Sequence, residues 1–270
     1  MARVGRNSFN YISIVALRIS PNNSAVNILA RTQLLCRRKY RARRLGFRFR
    51  RAAEFEAPSC IRVGNSLVPL SLPDDTGTRT AFVDILLDDC YSLAAIPDDV
   101  KTVIDIGSHA GLFAVAARRR WPNAVIHCYE PNQCLRVHWS RQADQVGFDV
   151  YEEAVGESAA KVGLVTNDDS VQVRAIEIPG GPIHQSAFSE AVKRIGGDVD
   201  VVKLDCEGGE WSILKDAQAW QNIRFLTMEF HLWAGYTAKE LEFRISELGF
   251  QITRLQKTGP DFGLLSARRI

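Results

Sequence analysis

The sequence predicts an α/β fold, a mostly parallel sheet covered by helices on both faces, preceded by a small N-terminal appendage. Three observations carry this. From Val100 onward, short apolar runs alternate with amphipathic helical segments, and such alternation requires parallel strands joined by crossover helices. Residues 103–113 pass from an apolar strand through two glycines into a helical pattern. The last two apolar runs follow each other without a helix between them, which suits an antiparallel hairpin at a sheet edge.

In chain order, strands are expected at 102–106, 124–129, 149–155, 199–204 and 223–230, then at 250–256 and 262–268. Helices are expected at 110–120, 133–146, 185–195, 210–220 and 237–248, where apolar residues recur at spacings near three and four. Ahead of this main domain (99–270), residues 56–98 read as a hairpin and a helix. Two apolar runs flank Gly64-Asn65, with Pro69 confining the second to an edge, and a helical pattern covers 80–95. Residues 161–182 break the alternation. Val171, Val173, Ile176 and Ile178 suggest short extra strands in an insertion beside the active site.

Composition narrows the functional class. The chain of 270 residues has 46% hydrophobic and 24% charged content, ordinary for a globular protein with one sizeable core. No apolar run reaches the roughly 18 residues that span a bilayer. The stretch 11–19 is short, interrupted by Ser13 and Arg18, and lacks a cleavage site. The expectation is therefore a cytoplasmic protein. Six scattered cysteines form no C-x-x-C pair, which fits neither a zinc framework nor a disulfide scaffold. Cys128 and Cys206 lie in apolar runs and read as small core residues.

The net charge of +3 hides an asymmetry. Thirteen of the 34 basic residues precede Glu54, the first acidic residue, leaving 21 basic against 31 acidic in the remainder. Residues 1–55 thus read as a basic arm, in part disordered, on an acidic body. Its functional readings are an acidic docking partner, an organelle transit peptide or a nucleic-acid contact. The last is disfavoured because no aromatic-interleaved RNA-binding motif accompanies the basic run. The plain alternative is an extension without a specific role.

In an open parallel sheet, ligands bind beyond the carboxyl ends of the strands, and the most informative motif lies there. The first strand ends in Asp105, Gly107 makes a tight turn, and Gly111 opens a helix. Glycines let backbone approach a ligand, and a helix N-terminus offers free N–H groups. The pattern is D-x-G-x-x-x-G, not G-x-G-x-x-G. An acid at this place would repel a dinucleotide's phosphates but suits the ammonium and sulfonium of S-adenosylmethionine. Glu130 ends the next strand, about 20 positions on, where a carboxylate accepts from ribose hydroxyls. His109 is a candidate loop contact.

With these residues identified, the chain from about Lys101 resembles the FkbM family of S-adenosylmethionine-dependent methyltransferases. The resemblance rests on VIDIGSHAG at 103–111, YEPN at 129–132, AVG at 154–156 and VVKLDCEGGEW at 201–211, with EFH at 229–231 a softer match. The D-x-E-G-x-E signature at 205–210 is the most family-specific piece; Cys206 and Gly209 stand where Val and Ala are usual. The resemblance implies a Rossmann-like class I methyltransferase with a seven-stranded sheet. It also implies methyl transfer, usually to a hydroxyl of a sugar or hydroxylated natural product. On this reading Asp105, Gly107, Ser108, His109, Gly111, Glu130, Pro131 and Val155 hold the cofactor. Asp205, Glu207, Glu229 and His231 form the catalytic set, with Asp205 or His231 as the base that takes the acceptor's proton.

Each assignment has a structural alternative. Asp205 and Glu207 could cap the helix beginning near Gly208, and His231 could be a half-buried, hydrogen-bonded core histidine. No metal ligand is assigned, although a divalent cation between Asp205, Glu207 and a further carboxylate is an alternative, since hard cations choose such oxygens. Rival functions are a nucleic-acid methyltransferase, a non-catalytic cofactor-binding protein and a nicotinamide-dependent dehydrogenase.

Overall fold

The computed structural model describes residues 24–51, 55–166, 170–171 and 173–270. The apolar stretch 11–19 and the first 23 residues of the basic arm lie outside this range. The described part of the arm is mostly helix α1 (Ser24–Arg44), and its end is docked. Ala42, Leu45 and Phe49 are buried in a core cluster with Ile61, Phe82, Phe113 and Val103. Arg38, itself buried, donates to both oxygens of Asp88 at 2.5–3.1 Å, and Arg41 donates to the Leu87 carbonyl at 2.9 Å.

Strands β1 (Cys60–Val63) and β2 (Ser66–Pro69) pair antiparallel around Gly64-Asn65. Gly64 has φ +58°, a conformation the two-residue hairpin loop demands and glycine adopts without a Cβ clash. The helix expected at 80–95 begins earlier and ends sooner. Helix α2 (Thr76–Phe82) is capped by Asp75, whose carboxylate accepts from the Thr78 amide at 2.7 Å, and continues as a π-helical turn through Asp88. Asp89 then adopts a left-handed φ of 58° and accepts from the amides of Leu93 and Ala94. That local hydrogen bonding competes with helix continuation, leaving only a short 3₁₀ turn at Leu93–Ala95.

The main sheet follows with β3 (Thr102–Ile106), α3 (Leu112–Arg120), β4 (Val125–Tyr129), α4 (Arg136–Val146) and β5 (Asp149–Tyr151). The chain then leaves this sheet. The strand expected at 149–155 splits at Glu152-Glu153, two acids held by Arg136 and Arg194. β6 (Ala154–Gly156), β7 (Ala160–Thr166), β8 (Val173–Glu177) and β9 (Ile183–Ala187) form a separate four-stranded sheet in the order β6-β9-β7-β8. Because Gln185 and Ser186 pair with Ala154 and Val155, the helix expected at 185–195 is a strand up to Ala187 and becomes α5 only at Phe188–Arg194. Tertiary pairing overrides the helical pattern there.

The chain re-enters the main sheet with β10 (Val199–Leu204), then α6 (Glu210–Ile213), β11 (Ile223–His231), α7 (Ala238–Glu247), β12 (Phe250–Lys257) and β13 (Phe262–Arg269). α6 is one turn, not the eleven residues expected, because Asp216 and the Trp220 indole satisfy backbone groups that a helix would use. Strand order is β12-β13-β11-β10-β3-β4-β5, parallel except for β13. One face carries α3, α4 and the N-terminal elements; the other carries α5, α6 and α7. Among the described residues no helix is long and apolar enough to cross a membrane.

Candidate active site

A cavity of about 330 Å³ opens beyond the carboxyl ends of β3, β4, β10 and β11, within the size range of small-molecule sites. Its walls come from the β3–α3 loop, the end of β4, the β10–α6 loop, Glu229 on β11, α2 with the following turn, and the small sheet. Ser108, His109, Glu130, Pro131 and Val155 line it, as do Gly107, Asp205, Glu207 and Glu229.

Three of the expected site residues stand back from the wall. Asp105 is fully buried one layer deeper, with the Lys203 ammonium 3.0 Å from its Oδ1. Alternation along β3 explains this: Ile106 faces the cavity, and Asp105 points to the opposite face with Val103. Gly111 also lies off the wall. Its φ is +81°, and an added Cβ would lie 2.9 Å from the Phe148 ring. His231 is buried behind Glu207.

The glycines serve packing more than ligand approach. At Gly107, φ is +73°, and a Cβ would fall 1.8 Å from the Asp205 carbonyl oxygen, so this turn can only be glycine. The amides of Gly107 and Ser108 both donate to the Tyr129 carbonyl, and the His109 amide donates to Glu130 at 2.7 Å. The amides of the loop itself, at Gly107, Ser108 and His109, are therefore already engaged within the fold. Glu130 also accepts from the Asn132 amide at 2.8 Å, and burial pushes its carboxyl up to about 7 despite those two bonds.

The deep wall is a cluster of acids. Lys203 sits at its base, donating to the Gly107 carbonyl at 2.6 Å and lying 3.8 Å from Asp205. Burial pushes this ammonium down, but Asp105 and Asp205 outweigh it and hold it above the ordinary lysine value. Tyr91 donates to Asp205 Oδ2 at 2.7 Å. Glu207 occupies a left-handed φ of 53°, at a cost of about 1–2 kcal/mol for a non-glycine residue. Glu210 supports that turn, accepting from the amides of Cys206 and Gly208 and lying 3.3 Å from His231 Nδ1. His231 Nε2 is 3.6 Å from Glu207. Burial raises Glu207 to about 8, and raises Glu229 well above the carboxylate range with help from Asp205. Burial alone would lower His231, yet Glu210 and Glu207 raise it to about 10.

Tyr91, Lys203 and Glu210 received no role in the sequence reading. Lys203 had a signal, a lysine following an apolar pair in a central strand. Tyr91 had none, since nothing local distinguishes a tyrosine after a helix. The small sheet adds Arg174, whose guanidinium stacks on Trp233 at 4.5 Å.

This wall fits a cationic nucleoside. The carboxyl groups of Asp105, Asp205, Glu207, Glu210 and Glu229 outnumber the basic groups near them, Lys203, His231 and Arg174. Ser108 Oγ is buried without a hydrogen-bond partner among the described residues. Residues 105–252 match the family described as "Methyltransferase FkbM domain". The chain belongs to that family. Its strand order is that of a class I methyltransferase sheet, and S-adenosylmethionine is its cofactor. This FkbM methyltransferase is 24% identical over 236 residues to "Methyltransferase sdnD" of Sordaria araneosa, covering 70% of this chain and 88% of that protein. It is 23% identical over 176 residues to "Methyltransferase 1" of Beauveria bassiana, covering 54% and 70% respectively. Among solved structures, precorrin-6y C5,15-methyltransferase from Geobacter metallireducens aligns with TM-score 0.45 at 11% identity, over 74% of this chain and 94% of that one.

Proposed function

We propose that this methyltransferase O-methylates a hydroxyl of a sugar or hydroxylated natural product. The observation that carries the reading is the placement of two wall regions on one cavity. Ser108, His109 and Glu130, from the β3–α3 loop and the end of β4, line it together with Asp205 and Glu229, from the ends of β10 and β11. On this reading Glu130, with Pro131 and Val155 beside it, holds the ribose, and Ser108 supplies an unsatisfied hydroxyl to the same ligand. S-adenosylmethionine supplies an electrophilic methyl group when bound. The chain's own work is to align the acceptor oxygen, worth about 7–11 kcal/mol when geometry is strict, and to receive its proton.

The proton's destination is a carboxylate. Of the two bases the sequence suggested, His231 stands behind Glu207, and Asp205 already accepts from Tyr91. Glu229 lines the cavity and its Oε1 has no hydrogen-bond partner among the described residues, so Glu229, once its own buried carboxyl has been ionised, is the better acceptor. Asp105 acts at one remove, holding Lys203 under the Gly107 turn. The exposed arginines of α1 suit an acidic partner, while Arg38 and Arg41 are spent on the body.

Calorimetric titration with S-adenosylhomocysteine tests the cofactor half. Glu130→Gln should weaken binding at least about tenfold, in line with the loss of a charged hydrogen bond; unchanged affinity would remove Glu130 from the site. Labelled methyl transfer to fractionated small hydroxylated metabolites tests the acceptor half. Label appearing only on amines or nucleic acid would refute O-methylation.

A further inference from the structure

We propose that Asp205, Glu207 and His231 bind a divalent transition-metal ion on the acceptor side of the cavity. The proposal rests on the function given above, because the ion's use is to orient and polarise an acceptor hydroxyl. One oxygen from each acid and one imidazole nitrogen all lie within 4.8 Å of one another. Glu207 Oε2 and His231 Nε2 are 3.6 Å apart. Ligands about 2.0–2.2 Å from one ion stand roughly 3–4 Å from each other, so a small adjustment closes the set.

Two further observations point to a cation. The first is Glu229, about nine-tenths buried and facing the same space, with Oε1 lacking any hydrogen-bond donor among the described residues. A buried carboxylate left so is costly, and an ion-bound hydroxyl or water beside the three ligands would satisfy it. The second is the imidazole's orientation. Glu210 lies 3.3 Å from His231 Nδ1 and is anchored by two backbone amides. A carboxylate behind one ring nitrogen fixes the other toward a metal, the usual outer arrangement of histidine ligands. Here Nε2 is the nitrogen that faces Glu207. An imidazole with two carboxylates favours Mn²⁺, Fe²⁺ or Zn²⁺ over Ca²⁺, which takes oxygen ligands.

The test uses the full chain without nucleoside, titrated with Mn²⁺ and followed by electron paramagnetic resonance. The expected result is one bound Mn²⁺ per chain, with nitrogen coupling from an imidazole in the pulsed spectrum and displacement by Zn²⁺. His231→Gln should abolish the nitrogen coupling, and Glu207→Gln should weaken Mn²⁺ at least about tenfold. Glu210→Gln should weaken it about 10–100-fold while the nitrogen coupling persists. No stoichiometric Mn²⁺ binding by the wild-type chain overturns the proposal. So does nitrogen coupling that survives His231→Gln, which would place the ion elsewhere. S-adenosylhomocysteine binding is measured on the same samples. Its absence counts against the methyltransferase reading, whereas its presence without Mn²⁺ binding counts against the metal site alone.

Discussion

Tyr91 donates its phenolic proton to Asp205 Oδ2 across 2.7 Å, joining residues 114 positions apart in the chain. The bond ties the turn after α2 to the end of β10, so the N-terminal elements form part of the cavity wall. Burial holds the phenol well above its ordinary value, and the Asp205 charge adds to this, so it remains a donor. Tyr91→Phe removes the bond while keeping the ring's edge contact with Phe113. The expected cost is about 1 kcal/mol, a fall of about 2–4 °C in Tm for a domain of this size. A melting temperature equal to wild type would show that the bond contributes nothing to the fold.

The two loop glycines should differ sharply in tolerance. Gly107→Ala places a methyl against the rigid Asp205 backbone, and a loss above about 3 kcal/mol is expected, enough to prevent soluble expression. Gly111→Ala crowds the tip of the Phe148 ring and meets Gln142 at ordinary contact distance, side chains and not backbone, so about 1–3 kcal/mol is expected. Adding Phe148→Leu to Gly111→Ala should recover part of that loss in urea denaturation. Equal damage at the two positions would contradict this account.

The Arg38–Asp88 pair anchors the basic helix. The Asp88 side chain is fully buried, and Arg37 approaches it only to 3.9 Å. Arg38→Met therefore strands a buried carboxylate, with an expected cost of about 3–5 kcal/mol. Replacing both, with Arg38→Met and Asp88→Leu, should restore most of it. Chemical denaturation in which the double variant is no better than the single one would show that the pair's charge is not what matters.

His109 sets an acid limit on stability. Burial lowers its ring to about 4, against the opposing pull of Asp75, whereas a solvated imidazole protonates near about 6.5. As pH falls from about 6.5 to about 4, the unfolded chain gains a proton that the folded chain refuses, so this contribution to stability is lost on acidification. Thermal melts across that window should decline less steeply for His109→Asn, which tolerates the left-handed backbone at this position (φ 50°). Parallel curves for the two proteins would show that His109 does not titrate as its burial implies.

The strands of the main sheet were legible in the sequence because buried parallel strands leave continuous apolar runs. Those at 102–106 and 199–204 have the expected bounds. Legibility failed where pairing partners, not local pattern, decide the conformation. Residues 152–153 break an apolar run because Ala154 onward pairs with β9, and Gln185 is drawn into a strand by the same pairing. At the site, residue types and spacing located the loop, Glu130 and the acids on β10 and β11. They did not reveal which way each side chain points. Asp105 faces Lys203 because of strand alternation, and the glycines answer to Asp205 and Phe148, contacts made across the sheet from distant sequence.

The cavity's outer wall also contains a bridge between three chain segments. Ser170 donates to Asp75 at 2.5 Å and lies 2.8 Å from His109 Nε2, so cap residue, insertion and the β3–α3 loop meet at one hydroxyl. An excised fragment bounded at 105 and 252 would keep most of the signature motifs yet lose the start of β3, Asp75, Tyr91 and the strand that flanks β11. Such a piece would present an open trough with an unpaired sheet edge, and recombinant work on this enzyme should start upstream of α1's docked end.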